Sequence, residues 1–199
     1  MGRTSDARER LIATAIELIR ARSYESVGVD ALCNHAQVKK GSFYHFFPSK
    51  QDLMLAALDR YWDIMQERIF DRAFLPELPP LQRIEQVFRL VAQSQADTQR
   101  VKGQVTGCAI GNLAAELSTQ CPEIREKLAS FFERMALYFQ GALREAAARG
   151  EWAGDPQVTA QSLVAFLYGS IMLAKTGNDA ALLERLFLQV RVMVLGAAA

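Results

Sequence analysis

Between positions 39 and 50 the chain sets Lys39, Lys40, Gly41, Ser42, Tyr44, His45 and Lys50. Ammonium, hydroxyl and imidazole groups all donate hydrogen bonds to phosphate oxygen, and Gly41 and Ser42 are small enough to allow close approach. Lysines at the start of a helix add charge to backbone N–H groups that already favour anions. This is chemistry for gripping a polyanion. Proton transfer has less support, because both histidines, His35 and His45, lie in the same short region, and His45 beside Tyr44 and Lys50 suits a phosphodiester contact better. No His-Glu metal helix, glycine-rich phosphate loop or nucleophile elbow appears, so an enzyme is not expected. Cys33, Cys108 and Cys121 are an odd number at wide spacing, which fits neither a disulfide framework nor a zinc site. No metal and no cofactor is expected.

Helices must position these groups. Leu11, Ile12, Ala15, Ile16, Leu18 and Ile19 recur at spacings of three and four, predicting an amphipathic helix from about 6 to 22 with Ser5 or Asp6 as its cap. Short helices follow over Val27 to Asn34 and Lys39 to Phe46, joined by the turn Ala36-Gln37-Val38. Pro48 ends the third, and Ser49 with Asp52 has the spacing to cap a long helix to about Arg72. Phe43, Phe46 and Phe47 are assigned to a small core, and His35 to a partly exposed helix face. Three short helices with a tight turn between the last two have the layout of a helix-turn-helix module, here placed at residues 1–48.

The other segments also have helical periodicity: Leu81 to Ala96, Gly107 to Ser118, Pro122 to Arg149, Gln157 to Thr176 and Asp179 to Leu195. Ser94 to Gln104 reads as a helix end followed by a loop. The expectation is an all-α chain of about nine helices without strands, its second domain covering residues 49–199. The longest uninterrupted apolar runs are six residues, against roughly 20 needed to cross a bilayer, so no membrane span is expected. No secretion signal is apparent and a cytoplasmic location is expected. With 199 residues, 50% hydrophobic and 23% charged, a sizeable core is possible and global disorder is excluded. Net charge is only +1, but residues 1–50 carry +3 and the remaining 149 carry −2, which puts any polyanion at the N-terminal end.

The run Val38-Lys39-Lys40-Gly41-Ser42-Phe43-Tyr44-His45-Phe46-Phe47-Pro48-Ser49-Lys50-Gln51-Asp52-Leu53 resembles the signature of the TetR family of bacterial transcriptional regulators, and Val29 to Ala36 fits the family's first reading helix. The strong likeness covers about residues 8 to 60. Gln37 departs from it where glycine is usual in the turn, and Lys39 where serine or threonine is common. The resemblance implies that Lys39, Lys40 and Ser42 lie nearest base edges. It places Val27 (through its backbone N–H), Gly41, Tyr44, His45 and Lys50 against the sugar-phosphate backbone, with Thr4 reaching an adjacent phosphate. It also implies a homodimer on a double-stranded, palindromic operator, released by a small-molecule effector. A helical small-molecule-binding module without sequence-specific DNA binding is the alternative.

For the dimer interface the last two helices offer Leu163, Phe166, Leu167, Ser170, Leu173, Leu183, Leu186, Phe187, Val190 and Val194, an apolar set broader than one core-facing stripe needs. Effector contacts are sought among Trp62, Met65, Phe88, Cys108, Asn112, Glu116, Phe132, Met135, Tyr138, Phe139, Tyr168 and Met172, each of which taken alone reads as ordinary core, so that only the set points to a pocket. Cys108 follows Gly107 near a helix start, where amide dipoles favour a thiolate. The segment Thr106 to Glu116 resembles that of a TetR subgroup in which some members sense electrophiles or oxidants through cysteine. The competing reading is a small buried hydrophobe.

Overall fold

A computed structural model of the chain describes the backbone of residues 2–21 and 23–195 and the side chains of residues 6–20 and 23–194. Among the described residues there are nine helices and no strand. They are α1 (Gly2–Ala21), α2 (Val29–Ala36), α3 (Lys40–Phe46), α4 (Lys50–Met65, running through a π turn at Gln66–Phe70 into Asp71–Ala73), α5 (Pro80–Lys102), α6 (Ala109–Leu117), α7 (Pro122–Ala148), α8 (Pro156–Gly177) and α9 (Ala181–Phe187, interrupted at Leu188, then Gln189–Leu195).

Local chemistry sets most of the boundaries. Phe47 is extended (φ −134, ψ 112), as a residue before proline prefers, and α3 stops there. Ser49 and Asp52 then close a reciprocal cap: Ser49 Oγ donates to Asp52 Oδ2 at 2.7 Å, and the Asp52 N–H donates to Ser49 Oγ at 3.2 Å. Asp155 caps α8 by accepting from the N–H groups of Gln157 and Val158 at 2.8 and 3.1 Å. Gln37 takes up the left-handed conformation (φ 54, ψ 45), where the turn demands what glycine supplies most easily. The α2 carbonyls are nevertheless satisfied, since the Gln37 and Val38 N–H groups donate back to Asn34 and Cys33.

Beyond shifts of one or two residues, two boundaries differ from expectation. Helix α1 begins at Gly2, so Asp6 lies within it and pairs with Arg10 across one turn at 3.7 Å. Helix α5 continues through the polar stretch read as a loop and ends only at Gly103 (φ 73). Its polar side chains are used along the helix, as in Gln93 to Asp97 at 3.1 Å, or sent to neighbouring segments. Gln95 donates to the Gly107 carbonyl at 3.1 Å and Gln99 to the Asn178 carbonyl at 2.5 Å.

The chain divides into two compact units, residues 1–64 with 108–129 and residues 65–107 with 130–199. The first is larger than a 48-residue reader because α6 and the start of α7 join it. Its core includes Leu11, Ala15, Leu32, Phe43, Phe47 and Leu53, with Phe43 and Leu53 fully buried. Burying such a side chain contributes about 1.5–3 kcal/mol, enough to hold three short helices that would not persist alone. In the second unit the Phe88 ring meets Phe187 edge-on at 4.9 Å and stacks on Phe139 at 5.9 Å. Arg83 joins two segments there, donating to Glu145 Oε2 at 2.7 Å and to the Leu78 carbonyl at 2.8 Å.

Candidate nucleic-acid interface

Helix α3 has one buried face and one open face. Phe43 and Phe47 are buried, whereas Lys39, Lys40, Gly41, Tyr44 and His45 are exposed and Ser42 is half-buried. Spacings of three and four put Lys40, Gly41, Tyr44 and His45 on the same side. Tyr44 keeps its ring edge against Phe43 (5.2 Å between centroids) while remaining 51% exposed, so its hydroxyl is free to reach outward. A Cβ built at Gly41 meets nothing within 4 Å, so no contact inside the chain requires glycine there. Gly41→Ala is therefore expected to raise unfolding stability by about 0.5–1 kcal/mol while lowering duplex affinity. Chemical denaturation and a fluorescence titration on the same preparation check the two halves of this prediction.

Lys40 is held in place before any ligand arrives. Its Nζ lies 2.8 Å from Asp30 Oδ1 on α2, and that hydrogen bond, with the aspartate charge, raises the lysine pKa. The ammonium therefore stays charged, and any other acceptor must displace the Asp30 carboxylate to reach it. His35 lies away from this face, 3.4 Å from Glu17.

Two expected phosphate contacts are turned inward. Lys50 donates to the carbonyls of Tyr24 and Val27 at 3.1 and 3.2 Å, with Nζ 3.9 Å from the centre of the Tyr24 ring. Val27 is buried, and its N–H donates to the Tyr24 carbonyl at 3.2 Å. Both serve to hold the turn between α1 and α2. Thr4 lies in α1, but its side chain is outside the described residues.

The candidate effector residues divide between the two units. Trp62, Cys108, Asn112 and Glu116 belong to the first, and Met65, Phe88, Phe132, Met135, Tyr138, Phe139, Tyr168 and Met172 to the second. Phe88, Met135 and Phe139 are core, each at most 1% exposed, and Met172 is 55% exposed. Phe132 and Tyr168 pack edge-on at 4.9 Å and Tyr138 stacks on Phe70 at 4.5 Å, all three only partly buried. Cys108 is buried at 7% exposed and occupies the N-cap position of α6 without a side-chain capping bond, and its Sγ lies 3.6 Å from the Tyr61 hydroxyl. Burial, with Cys108 beside it, raises the pKa of Tyr61, so the phenol stays neutral.

Glu116 has a role the sequence reading missed. Its carboxylate accepts from Ser23 Oγ at 2.5 Å and from the N–H groups of Tyr24 and Glu25 at 3.0 and 3.1 Å. Partial burial pushes its pKa up, but these three bonds and the nearby Lys50 charge outweigh that and hold it below the ordinary glutamate range. The stabilisation is therefore fully present at neutral pH and is lost only as the pH falls through the depressed value.

The interface candidates face mostly inward. Leu163, Leu167, Ser170, Leu183, Phe187, Val190 and Val194 are buried within the chain, Phe166 and Leu186 are half-buried, and Leu173 is the exception at 59% exposed. The open sides of α8 and α9 carry a different set: Val158, Ala165, Gly169, Met172 and Leu173, then Leu188, Val192 and Met193. Helix α8, of 22 residues, is also long and apolar enough to cross a membrane by length and composition, which a count of uninterrupted apolar runs did not reveal. Its buried stripe of Leu163, Leu167, Ile171 and Ala174 against α9 is that of a bundle helix with one uncovered face.

An all-helical chain with a basic helix-turn-helix face and a larger helical unit defines a DNA-binding regulator of transcription. Residues 11–57 match the model described as bacterial regulatory proteins, tetR family, and residues 80–190 that described as tetracyclin repressor-like, C-terminal domain. The chain belongs to the TetR family, and it is a transcriptional regulator and not an enzyme. It is 34% identical over 172 residues to the transcriptional regulator AcuR of Cereibacter sphaeroides, covering 85% of this chain and 76% of that one. The HTH-type transcriptional repressor NemR of Escherichia coli is 29% identical over 199 residues, 95% of this chain and 94% of NemR. The crystal structure of reduced NemR superposes with a TM-score of 0.83 at 26% identity, covering 98% of this chain and all of that one. For a regulatory protein TetR from Rhodobacter sphaeroides the TM-score is 0.81 at 31% identity, covering 94% and 98%.

Proposed function

We propose that the chain is a repressor that binds a palindromic operator as a homodimer, through two copies of α3, and is released by a small-molecule effector. The exposed face of α3 carries this reading: Lys40, Tyr44 and His45, with Lys39 just ahead of the helix, are presented outward. Lys39, Lys40 and Ser42 read base edges, while Gly41, Tyr44 and His45 rest on the sugar-phosphate backbone. Lys50 and Val27 act instead by fixing the turn ahead of α2. The uncovered apolar side of α8 and α9 supports the homodimer, since patches of this kind mark interaction surfaces. The half-buried aromatics Phe132, Tyr138 and Tyr168 suit an apolar effector. Cys108, at a helix start beside the Tyr61 hydroxyl, supports a second route of release in which an electrophile alkylates the thiol.

Selection of bound duplexes from a random pool, with and without N-ethylmaleimide, tests the reading. A palindrome is expected to be enriched. Its binding should weaken by about 1–3 kcal/mol in Lys40→Ala, with the preference relaxed at the base pair that Lys40 reads. Loss of binding after alkylation that Cys108→Ser prevents supports the thiol route, and loss that persists in that variant rejects it. No enrichment at all overturns the repressor and favours a helical binding module without operator recognition.

A further inference from the structure

The segment between α1 and α2 is gripped from two sides. From α6, Glu116 satisfies the Ser23 hydroxyl and the backbone N–H groups of Tyr24 and Glu25; from α4, Lys50 satisfies the carbonyls of Tyr24 and Val27. Gly28 follows immediately as the cap of α2, which packs on α3, so the seat of this segment sets where the reading helices lie. The other end of α6 is equally engaged. Cys108, at its N-cap position, lies 3.6 Å from the hydroxyl of Tyr61 in α4, and the charge of Arg20 in α1 reaches the same phenol.

Helix α6 has nine residues and spans roughly 13 Å at 1.5 Å per residue, short enough to move as one body. All three bonds to Glu116 lie between 2.5 and 3.1 Å and end on one carboxylate, so a displacement of Glu116 away from the segment weakens them together. We propose that Glu116 is the residue through which the position of α6, set at its Cys108 end, is passed to the reading helices. Its role is positioning, since it grips the segment ahead of the reader and not the duplex. The inference rests on the reading above only in taking α2 and α3 as the reader.

Coupling between two ends of one body is reciprocal, so it can be read at Cys108 by disturbing the far end. In the full-length protein, the N-ethylmaleimide labelling rate at Cys108, followed by the mass of its peptide, is compared among wild type, Glu116→Gln, Ser23→Ala and Glu25→Gln. Glu116→Gln replaces one acceptor oxygen with an N–H₂ group facing the same donors, and a rate change at Cys108 of about tenfold is expected. Ser23→Ala removes a single bond from the reader side without altering α6, and a smaller change in the same direction is expected. Glu25→Gln, which leaves the backbone N–H in place, should match wild type. Unchanged labelling in both Glu116→Gln and Ser23→Ala overturns the proposal. If Glu116→Gln fails to fold, Ser23→Ala alone decides it. Duplex affinity plays no part in this readout, so a chain that binds no operator would overturn the repressor reading and leave this test intact.

Discussion

Leu173→Glu is expected to leave monomers at micromolar concentration and to lower affinity for a duplex with two half-sites by about 100-fold or more. Leu173 and Met172 are 59% and 55% exposed near the end of α8, in line with Val158, Ala165 and Gly169 on the same face. A symmetric interface on that face contains two copies of each residue, so one substitution buries two unpaired charges in a desolvated contact. Each reader then binds alone, and the gain from linking two half-sites is lost. The monomer should still fold, because Leu173 contributes little to its core. Sedimentation velocity reports the oligomeric state and a titration with one- and two-half-site duplexes reports the affinity. A variant that remains dimeric would move the interface elsewhere, with exposed Leu137 on α7 as the next apolar position to probe.

The reader was legible because its signals are local. Pro48, Ser49 and Asp52 punctuate α3 and α4 within five residues, and the alternation of Phe43 and Phe47 with Lys40, Tyr44 and His45 separates core from surface by helical period alone. What escaped depends on partners distant in sequence. Glu116 appeared to be a polar group for an effector because nothing nearby announces that its carboxylate caps a segment some ninety residues earlier. Lys50 has the composition of a phosphate contact, yet two carbonyls and the Tyr24 ring claim its ammonium. In α8 and α9 both faces are apolar, so periodicity identifies two stripes without ranking them; the bulkier one, with Leu163, Leu167 and Phe187, went inside. The polar run from Ser94 to Gln104 misled for the opposite reason, since Gln95 and Gln99 spend their amides on tertiary contacts that hold helix where composition suggests loop.

The same distinction between lining and core leads to the largest expected loss of stability. Phe88→Ala should lower the unfolding free energy by about 3–5 kcal/mol. Phe88 is 1% exposed and touches Phe187 edge-on, Phe139 face to face, and Phe166 at 6.2 Å between centroids. Truncation deletes one ring from four that pack together, and the survivors on α5's neighbours α8 and α9 lose the surface that sets their depth. A residue that merely lined an effector cavity would behave differently, because its removal enlarges a space that is already there and costs little. Urea unfolding, extrapolated to water at fixed protein concentration, separates the two. Because Phe166 and Phe187 sit on the inner sides of the helices whose outer sides form the proposed interface, a loosened cluster should also weaken the dimer. The unfolding midpoint of Phe88→Ala is therefore expected to rise less steeply with protein concentration than that of Gly41→Ala, in which only the surface of the reader is altered.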